Sequence, residues 1–270
     1  MAATQSFGQH GPAVVPDFHR DGHWDTTNLV SALSGLNKEL VWRLGYFSQA
    51  PDKLALQYSA PAVGIWGFFW WPYRQRILDT LHSLHGGDES AVLNRRRDLA
   101  RMIKSYDLKD PENHWKVGFL IHALGDSYAH THLEDGRLKA YGPLVGHIFD
   151  NGSAGYKPDS VTAHPEVYLE YVAALANALQ RPESPAGSIQ VTVERVREVL
   201  AGKVSGGVPP KTSEQMSAAL EEALEIFREP DSLRWNAEGE EAKARQEIDF
   251  WKVNSFLDDV RKKLLNQATE

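Results

Sequence analysis

The densest group of chemically reactive side chains in this sequence lies near its centre. His122, Asp126 and His130 are spaced four residues apart. Residues four apart share one face of an α-helix, so a helix through this segment would direct two imidazoles and one carboxylate towards a common point. Imidazole and carboxylate are the ligands that Zn²⁺ and similar divalent ions take where no thiolate is present. The spacing therefore predicts part of a metal site.

Isolated histidines need no metal to explain them. A single histidine is usually a surface residue or a hydrogen-bonded core residue, and we interpret His10, His114 and His164 in that way. Two imidazoles that flank a carboxylate on one helix face are different, because burying such groups without a bound cation is unfavourable. The paired spacing is therefore stronger evidence for metal binding than any single histidine.

Several segments resemble the superfamily of zinc-dependent phospholipases C and single-strand-specific nucleases, most closely its bacterial relatives with a His-x-x-x-Asp-x-x-x-His helix. The resemblance rests on residues 122–130 and on the Gly-His and Lys-Pro-Asp sequences at 146–147 and 157–159. Residues 23–35 resemble the N-terminal ligand helix, and residues 46–52 resemble the segment that carries an aspartate ligand. The similarity covers roughly residues 17–159.

The resemblance implies a helical bundle that holds up to three divalent metal ions, usually zinc, which activate a water for attack on a phosphodiester. It implies Asp52 and Asp126 as the catalytic carboxylates. The implied ligands are Asp52, His82 or His85, His122 and Asp126 for one ion, His130 or His132 with His147 and Asp150 for a second, and His23 with Asp126 for a third.

Two choices between neighbouring histidines stay open. A step of six residues turns roughly 240° around a helix, so His130 is favoured over His132 as a partner of Asp126 unless the helix ends before it. His82 is favoured over His85, because the Leu-His-Gly-Gly sequence that contains His85 is typical of a helix end.

Clustered divalent ions suit phosphodiester hydrolysis. They lower the pKa of a bound water, neutralise phosphoryl oxygens and stabilise the leaving oxygen. We therefore expect a metal-dependent phosphoester hydrolase with phospholipase C-like activity. A single-strand nuclease is the alternative within the same superfamily, and a non-catalytic metal-binding or interaction protein is the alternative from another class. The net charge of −7 argues against a broad nucleic-acid surface, and we expect no stable nucleic-acid complex.

An unusually aromatic segment, residues 65–73, lies between the predicted ligands Asp52 and His82. Its large side chains would fill the core, stack on nucleobases or form a peripheral membrane contact, since Trp and Tyr are favoured at bilayer interfaces. A phospholipid or other phosphodiester is the expected substrate. The residues of the expected membrane contact are Trp66, Phe68, Phe69, Trp70 and Trp71.

Helical periodicity accounts for most of the chain, and alternating strand patterns are nearly absent, so we predict an all-α, multi-helix bundle. The first predicted segment is one or two helices, with a break near Gly35. The predicted helical segments are 27–46, 75–84, 89–106, 115–132, 165–179, 191–200, 213–227 and 238–265.

Composition predicts one domain. We expect a flexible tail at residues 1–16 and a single all-α domain at 17–270, on which the C-terminal helices from about residue 184 pack. The sequence contains no cysteine, which excludes thiolate ligands and disulfides. It has no apolar run long enough for a membrane-spanning helix and no visible signal peptide, so we expect a cytoplasmic protein, or one exported without a cleaved signal.

Overall fold

A computed structural model describes residues 20–52, 58, 60, 63, 70–142, 160–225 and 237–267 of the chain. Helices make up most of these residues, which confirms the prediction of an all-α protein. The more specific expectation of a phospholipase C and nuclease type of bundle stays a prediction. No helix among the described residues has both the length and the apolar character that crossing a membrane requires.

The helices of the described residues are numbered here in chain order. They are α1 (Thr26–Leu33), α2 (Lys38–Gln49), α3 (Trp71–Gln75), α4 (Glu89–Ser105), α5 (His114–Ala129), α6 (Pro165–Leu179), α7 (Ser188–Leu200), α8 (Ser213–Glu225), α9 (Ala237–Glu247) and α10 (Phe250–Gln267). Two π-helical turns extend them: Asp21–Asp25 leads into α1, and Arg76–Leu81 continues α3.

Helix α5 lies at the centre of the fold. All of its residues except Lys116 are buried, and it packs along α2 and against α4 and α6. Gly118 permits the close approach of α2, because a Cβ atom at this position would lie 2.2 Å from Cβ of Phe47. The helix that carries the predicted ligands is therefore held rigidly on several sides.

The expected break between α1 and α2 is present. Gly35 has a φ of +83°, a left-handed conformation that glycine adopts without the steric cost of a side chain. The side chain of Asn37 then caps α2 by accepting a hydrogen bond of 2.9 Å from the amide of Leu40. Helix α2 ends at the 3₁₀ turn Ala50–Asp52, which places Asp52 beside α5.

The structure corrects the prediction of a helix over residues 115–132. Helix α5 ends at Ala129, and the chain continues into an antiparallel hairpin of β1 (Thr131–Glu134) and β2 (Arg137–Ala140). The turn between the strands uses Asp135 and Gly136, both with positive φ, a pair typical of tight hairpins. Among the described residues, the near absence of strands was therefore a correct expectation except at this hairpin.

The C-terminal helices pack on the N-terminal half of the chain. Helix α8 contacts α1 and the Asp21–Asp25 turn, and α10 contacts the Arg76–Leu81 turn. A single helix over residues 238–265 is wrong, because the chain forms α9 and α10 instead. Asp249 begins α10 by accepting hydrogen bonds of 3.0 Å from the amides of Trp251 and Lys252.

Candidate metal centre

Five of the predicted site residues converge beside the C-terminal half of α5. The ligand atoms of each of two overlapping groups lie within 4.8 Å of one another, and the groups share His122. Each residue comes from a different turn or helix, apart from the two on α5. The first group is His23, His122 and Asp126, and the second is Asp52, His82 and His122.

Asp126 is fully buried, and its two carboxylate oxygens face different histidines. Oδ1 lies 3.2 Å from Nε2 of His23. Oδ2 lies 3.0 Å from Nδ1 of His82 and 3.2 Å from Nε2 of His122. The carboxylate is therefore oriented as a bridge between a position beside His23 and a position beside the other two rings.

The two carboxylate oxygens of Asp52 also face two different histidines. Its Oδ2 lies 3.6 Å from Nε2 of His23, and its Oδ1 lies 3.5 Å from Nε2 of His122. Gln49 holds the carboxylate by donating a hydrogen bond of 2.9 Å to Oδ2. The Asp52 side chain is 10% exposed, whereas those of His23, His82, His122 and Asp126 are 0% exposed.

Backbone carbonyls fix which nitrogen of each ring carries hydrogen. Nδ1 of His122 lies 2.9 Å from the carbonyl oxygen of Ser48, and Nε2 of His82 lies 2.8 Å from that of Tyr58. A carbonyl oxygen can only accept, so these two nitrogens are the donors. The remaining nitrogens, Nε2 of His122 and Nδ1 of His82, are then the atoms that face Asp126.

These two remaining nitrogens lie only 3.1 Å apart. In the neutral rings both carry lone pairs, and both point at the Oδ2 atom of an ionised Asp126. Acceptor atoms at these distances repel one another unless a cation, either a proton on one ring or a metal ion, lies among them. The set of three imidazoles and two carboxylates, without sulfur, fits a divalent metal such as zinc.

Burial and neighbouring charges set the ionisation of the centre. The pKa of His122 falls to about 4, because burial and the neighbouring His23 together outweigh the opposing effect of Asp126. For Asp126, burial alone would raise the pKa, but His122 and His130 outweigh it, and the net result lies well below the usual value. Neutral imidazole and ionised carboxylate are the forms that bind metals.

Comparisons of the chain with models of known protein families, with curated proteins and with solved structures find no match. The resemblance to the phospholipase C and nuclease superfamily therefore stays a prediction. The distances and burial described for the centre do not depend on that resemblance.

His130 lies at the edge of the centre. Its Nδ1 donates a hydrogen bond of 2.6 Å to the backbone carbonyl of His82, and the same atom lies 3.8 Å from Oδ2 of Asp126. It belongs to neither converging group, because α5 ends at Ala129 and His130 no longer has helical geometry. Its ring supports the backbone that positions His82.

The structure does not bring His132 or His85 into the centre. His132 lies on β1, where its ring packs 4.4 Å from that of Tyr141. His85 follows the end of the π-helical turn. Its ring is largely buried there, near the charged side chains of Arg95 and Asp79. His147 and Asp150, the other predicted ligands of a second ion, lie outside the described residues.

His114 agrees with its interpretation as a core histidine. Nε of Arg43 donates a hydrogen bond of 2.8 Å to Nδ1 of His114, whose Nε2 donates one of 3.0 Å to the carbonyl of Leu108. Both ring nitrogens are therefore used in connecting α2 to the start of α5. This pairing has no part in the metal centre.

Sequence reasoning missed the residues that shape the space around His23. A Cβ atom on Gly125 would lie 3.1 Å from Cε1 of His23 and 3.3 Å from Cζ of Tyr171. Glycine at this position therefore makes room for both rings beside Asp126. One indication of this role was present in the sequence: Gly125 lies inside the His-x-x-x-Asp motif, directly before Asp126. Nothing in the sequence around Tyr171 pointed to the centre.

Proposed function

We propose that this protein is a metal-dependent phosphoester hydrolase with phospholipase C-like activity. The observation that carries the proposal is the convergence of buried imidazole and carboxylate acceptors on Asp126. So many acceptor atoms close together are unfavourable without a cation. The two oxygens of Asp52 face different histidines, as do those of Asp126, which suits a pair of neighbouring metal ions. His147 and Asp150, two of the predicted ligands of the second ion, lie outside the described residues, and their role stays a prediction.

Divalent metals at this position would supply the activation of a water and the neutralisation of phosphoryl charge that phosphodiester hydrolysis needs. The protein's own residues prepare the position. Ser48 and Tyr58 hold the rings of His122 and His82 through their carbonyls, so the lone pairs stay directed at the centre. Asp126 keeps its negative charge there, and the packing around α5 excludes bulk water.

Asp52 marks the side from which a substrate would approach. Of the five converging residues, it is the one with measurable side-chain exposure, 10%. Its carboxylate faces both His23 and His122, and it lies in the 3₁₀ turn directly after α2. We assign it the role of a catalytic carboxylate that binds metal and receives a proton at its accessible edge.

The choice of a lipid over a nucleic acid rests on charge and on exposed aromatic side chains. The net charge of −7 opposes the approach of a polyanionic strand. Trp70 and Trp71, which belong to the aromatic segment, are 58% and 41% exposed, so at least these two do not fill the core. Tryptophan is a preferred residue at bilayer interfaces.

Turnover assays test the proposal. The zinc-loaded protein should hydrolyse a chromogenic phosphodiester, and the chelated protein should not. It should also release diacylglycerol from liposomes in preference to acid-soluble nucleotides from single-stranded DNA. Metal binding without any turnover would favour the non-catalytic metal-binding alternative, and nucleotide release would favour the nuclease. Glu134→Gln, on an exposed strand, is the matched control for Asp126→Asn in these assays.

A further inference from the structure

Both π-helical turns of the described residues lead to residues of the candidate centre. The turn Asp21–Asp25 contains His23, and the turn Arg76–Leu81 ends directly before His82. A π-helical turn holds one residue more than an α-helical turn, and such turns are rare and frequently lie at functional sites. The direction of the His23 side chain therefore depends on what closes the turn that carries it.

Thr26 closes this turn. Its amide and its hydroxyl both donate to the carbonyl oxygen of Asp21, the hydroxyl at 2.5 Å. In an α-helix the amide would instead donate to the residue four positions before it. Relaxation to that geometry would remove one residue from the turn and rotate His23 by about 100° around the helix axis relative to α1. The bonds of Thr26 to Asp21 therefore keep His23 directed at Asp126.

Tyr168 on α6 holds Thr26 in place. The hydroxyl oxygens of the two side chains lie 2.5 Å apart. A hydroxyl group has a single hydrogen, and that of Thr26 is donated to Asp21, so Tyr168 is the donor to Thr26. Tyr168 is 1% exposed, and burial raises its pKa well above the ordinary value, so it keeps this hydrogen. A chain of hydrogen bonds therefore runs from α6 to the turn that carries His23.

Tyr171, three residues further along α6, lies beside the ring of His23. Cζ of Tyr171 and Nδ1 of His23 both lie 3.3 Å from the place that a Cβ atom on Gly125 would take. The centre of the His23 ring also lies 4.2 Å from that of His122. The hydroxyl of Tyr171 faces the side chain of Thr27, which is fully buried. The His23 ring is therefore confined by His122 on one side and by Gly125 and Tyr171 on another.

We propose that Tyr168 and Tyr171 are positioning residues of the candidate centre, which hold His23 against Asp126 from α6. Tyr168 acts through Thr26 and the closed turn, and Tyr171 acts through the position of the ring. The inference rests on the metal centre of the proposed function. It makes α6 a part of that centre, although the helix follows the segment of the chain that resembles the phospholipase C and nuclease superfamily.

Zinc affinity of the full chain, measured by competition with a chromogenic chelator, tests this inference. Thr26→Val keeps the shape of the side chain and removes the hydroxyl between Tyr168 and Asp21. We expect it to lose at least about tenfold in zinc affinity, as is typical when a residue that orients a ligand is lost. Tyr171→Leu, which removes the ring, should lose as much, whereas Tyr171→Phe keeps the ring and should stay within about threefold of the natural chain.

Thr192→Val is the matched control for Thr26→Val. Thr192 is also 0% exposed, and its hydroxyl donates a hydrogen bond of 2.8 Å to the carbonyl oxygen of Ser188 on α7. The same change in this helix should leave zinc affinity unchanged. If Tyr171→Leu does not fold by circular dichroism, Thr26→Val decides, because it only exchanges a hydroxyl for a methyl group.

A double-mutant cycle with His23→Ala separates positioning from a general loss of stability. If the tyrosines act through His23, then Thr26→Val and Tyr171→Leu should cost less than about twofold in zinc affinity once that ring is absent. A general loosening of the fold would weaken zinc binding equally with and without His23. Equal losses in the two backgrounds would therefore overturn the inference.

The outcomes distinguish this inference from the proposed function. Natural zinc affinity in Thr26→Val and Tyr171→Leu, with phosphodiester turnover by the natural chain, would overturn the inference and support the proposed function. Losses of zinc affinity that depend on His23, without turnover of any phosphodiester, would support the inference and contradict the proposed function. A natural chain that binds no zinc would overturn both.

Discussion

Nδ1 of His82 and Nε2 of His122 lie 3.1 Å apart, and the other nitrogen of each ring donates to a backbone carbonyl. The two rings therefore direct acceptor atoms at each other and at the same oxygen of Asp126. A cation among these atoms, either a proton on one ring or a divalent metal ion, would resolve this conflict.

Asp126→Asn should lower zinc affinity by at least about a hundredfold, in the range seen when a metal-centre residue is lost. The amide retains the shape of the side chain but loses the charge and one of the two oxygens that face His23 and His122. Competition with a chromogenic chelator measures the affinity. Glu134→Gln removes a charge from an exposed strand and should change nothing. An Asp126→Asn protein with natural zinc affinity would show that the carboxylate is no ligand.

Gly125→Ala should weaken metal binding without replacing any ligand. The added methyl group would lie 3.1 Å from Cε1 of His23 and 3.3 Å from Cζ of Tyr171, so one of the two rings must shift. We expect a loss of stability of about 1–3 kcal/mol in urea denaturation together with a lower zinc affinity. Gly142→Ala is the control, because no atom of the part of the chain that the structure describes lies within 4 Å of the added carbon. Equal stability and equal zinc affinity in the two variants would contradict the role of Gly125.

His130→Ala and His132→Ala should differ in stability and in zinc binding. Removing the ring of His130 leaves the buried carbonyl of His82 without its donor, which costs about 1–3 kcal/mol and loosens His82. His132 packs on Tyr141 outside the centre, so its removal should leave zinc affinity at the described centre unchanged. A larger loss of zinc in His132→Ala than in His130→Ala would reverse this assignment.

His85 should make the protein less stable in acid. Burial lowers its pKa to about 4, and Arg95 adds to the effect, whereas the unfolded chain has the ordinary value of 6.5. The unfolded state therefore binds the proton more tightly, and stability is complete above pH 6.5 and falls as the pH drops towards 4. The loss attributable to His85 is up to roughly 3 kcal/mol.

Urea denaturation across this pH range, with chelator present throughout, measures the effect. The variant His85→Gln has no titrating ring at this position, so its free energy of unfolding should fall less steeply between pH 6.5 and 4. Identical pH profiles for the two proteins would show that His85 has the same pKa in the folded and unfolded states.

The sequence was sufficient to predict the helix that carries the centre, because His122 and Asp126 are four residues apart in a strongly apolar segment. It was insufficient at His130, since the end of α5 depends on the hairpin that follows. The spacing could not decide whether the helix would continue through His130 and His132. The observed fold ends it at Ala129 and turns His132 towards Tyr141.

Other parts of the centre depend on contacts between distant segments. The carbonyl groups of Ser48 and Tyr58 orient two rings, but every residue has a carbonyl, so no side-chain pattern identifies them. Tertiary packing, rather than local preference, brings these groups together.

Elemental analysis of the protein purified in metal-free buffer and then loaded with zinc tests the metal centre most directly. We expect at least about one equivalent of tightly held zinc per chain, and a marked loss of it in Asp126→Asn. Less than about half an equivalent of zinc, manganese or iron in the natural chain would contradict the metal centre and the hydrolase proposed from it.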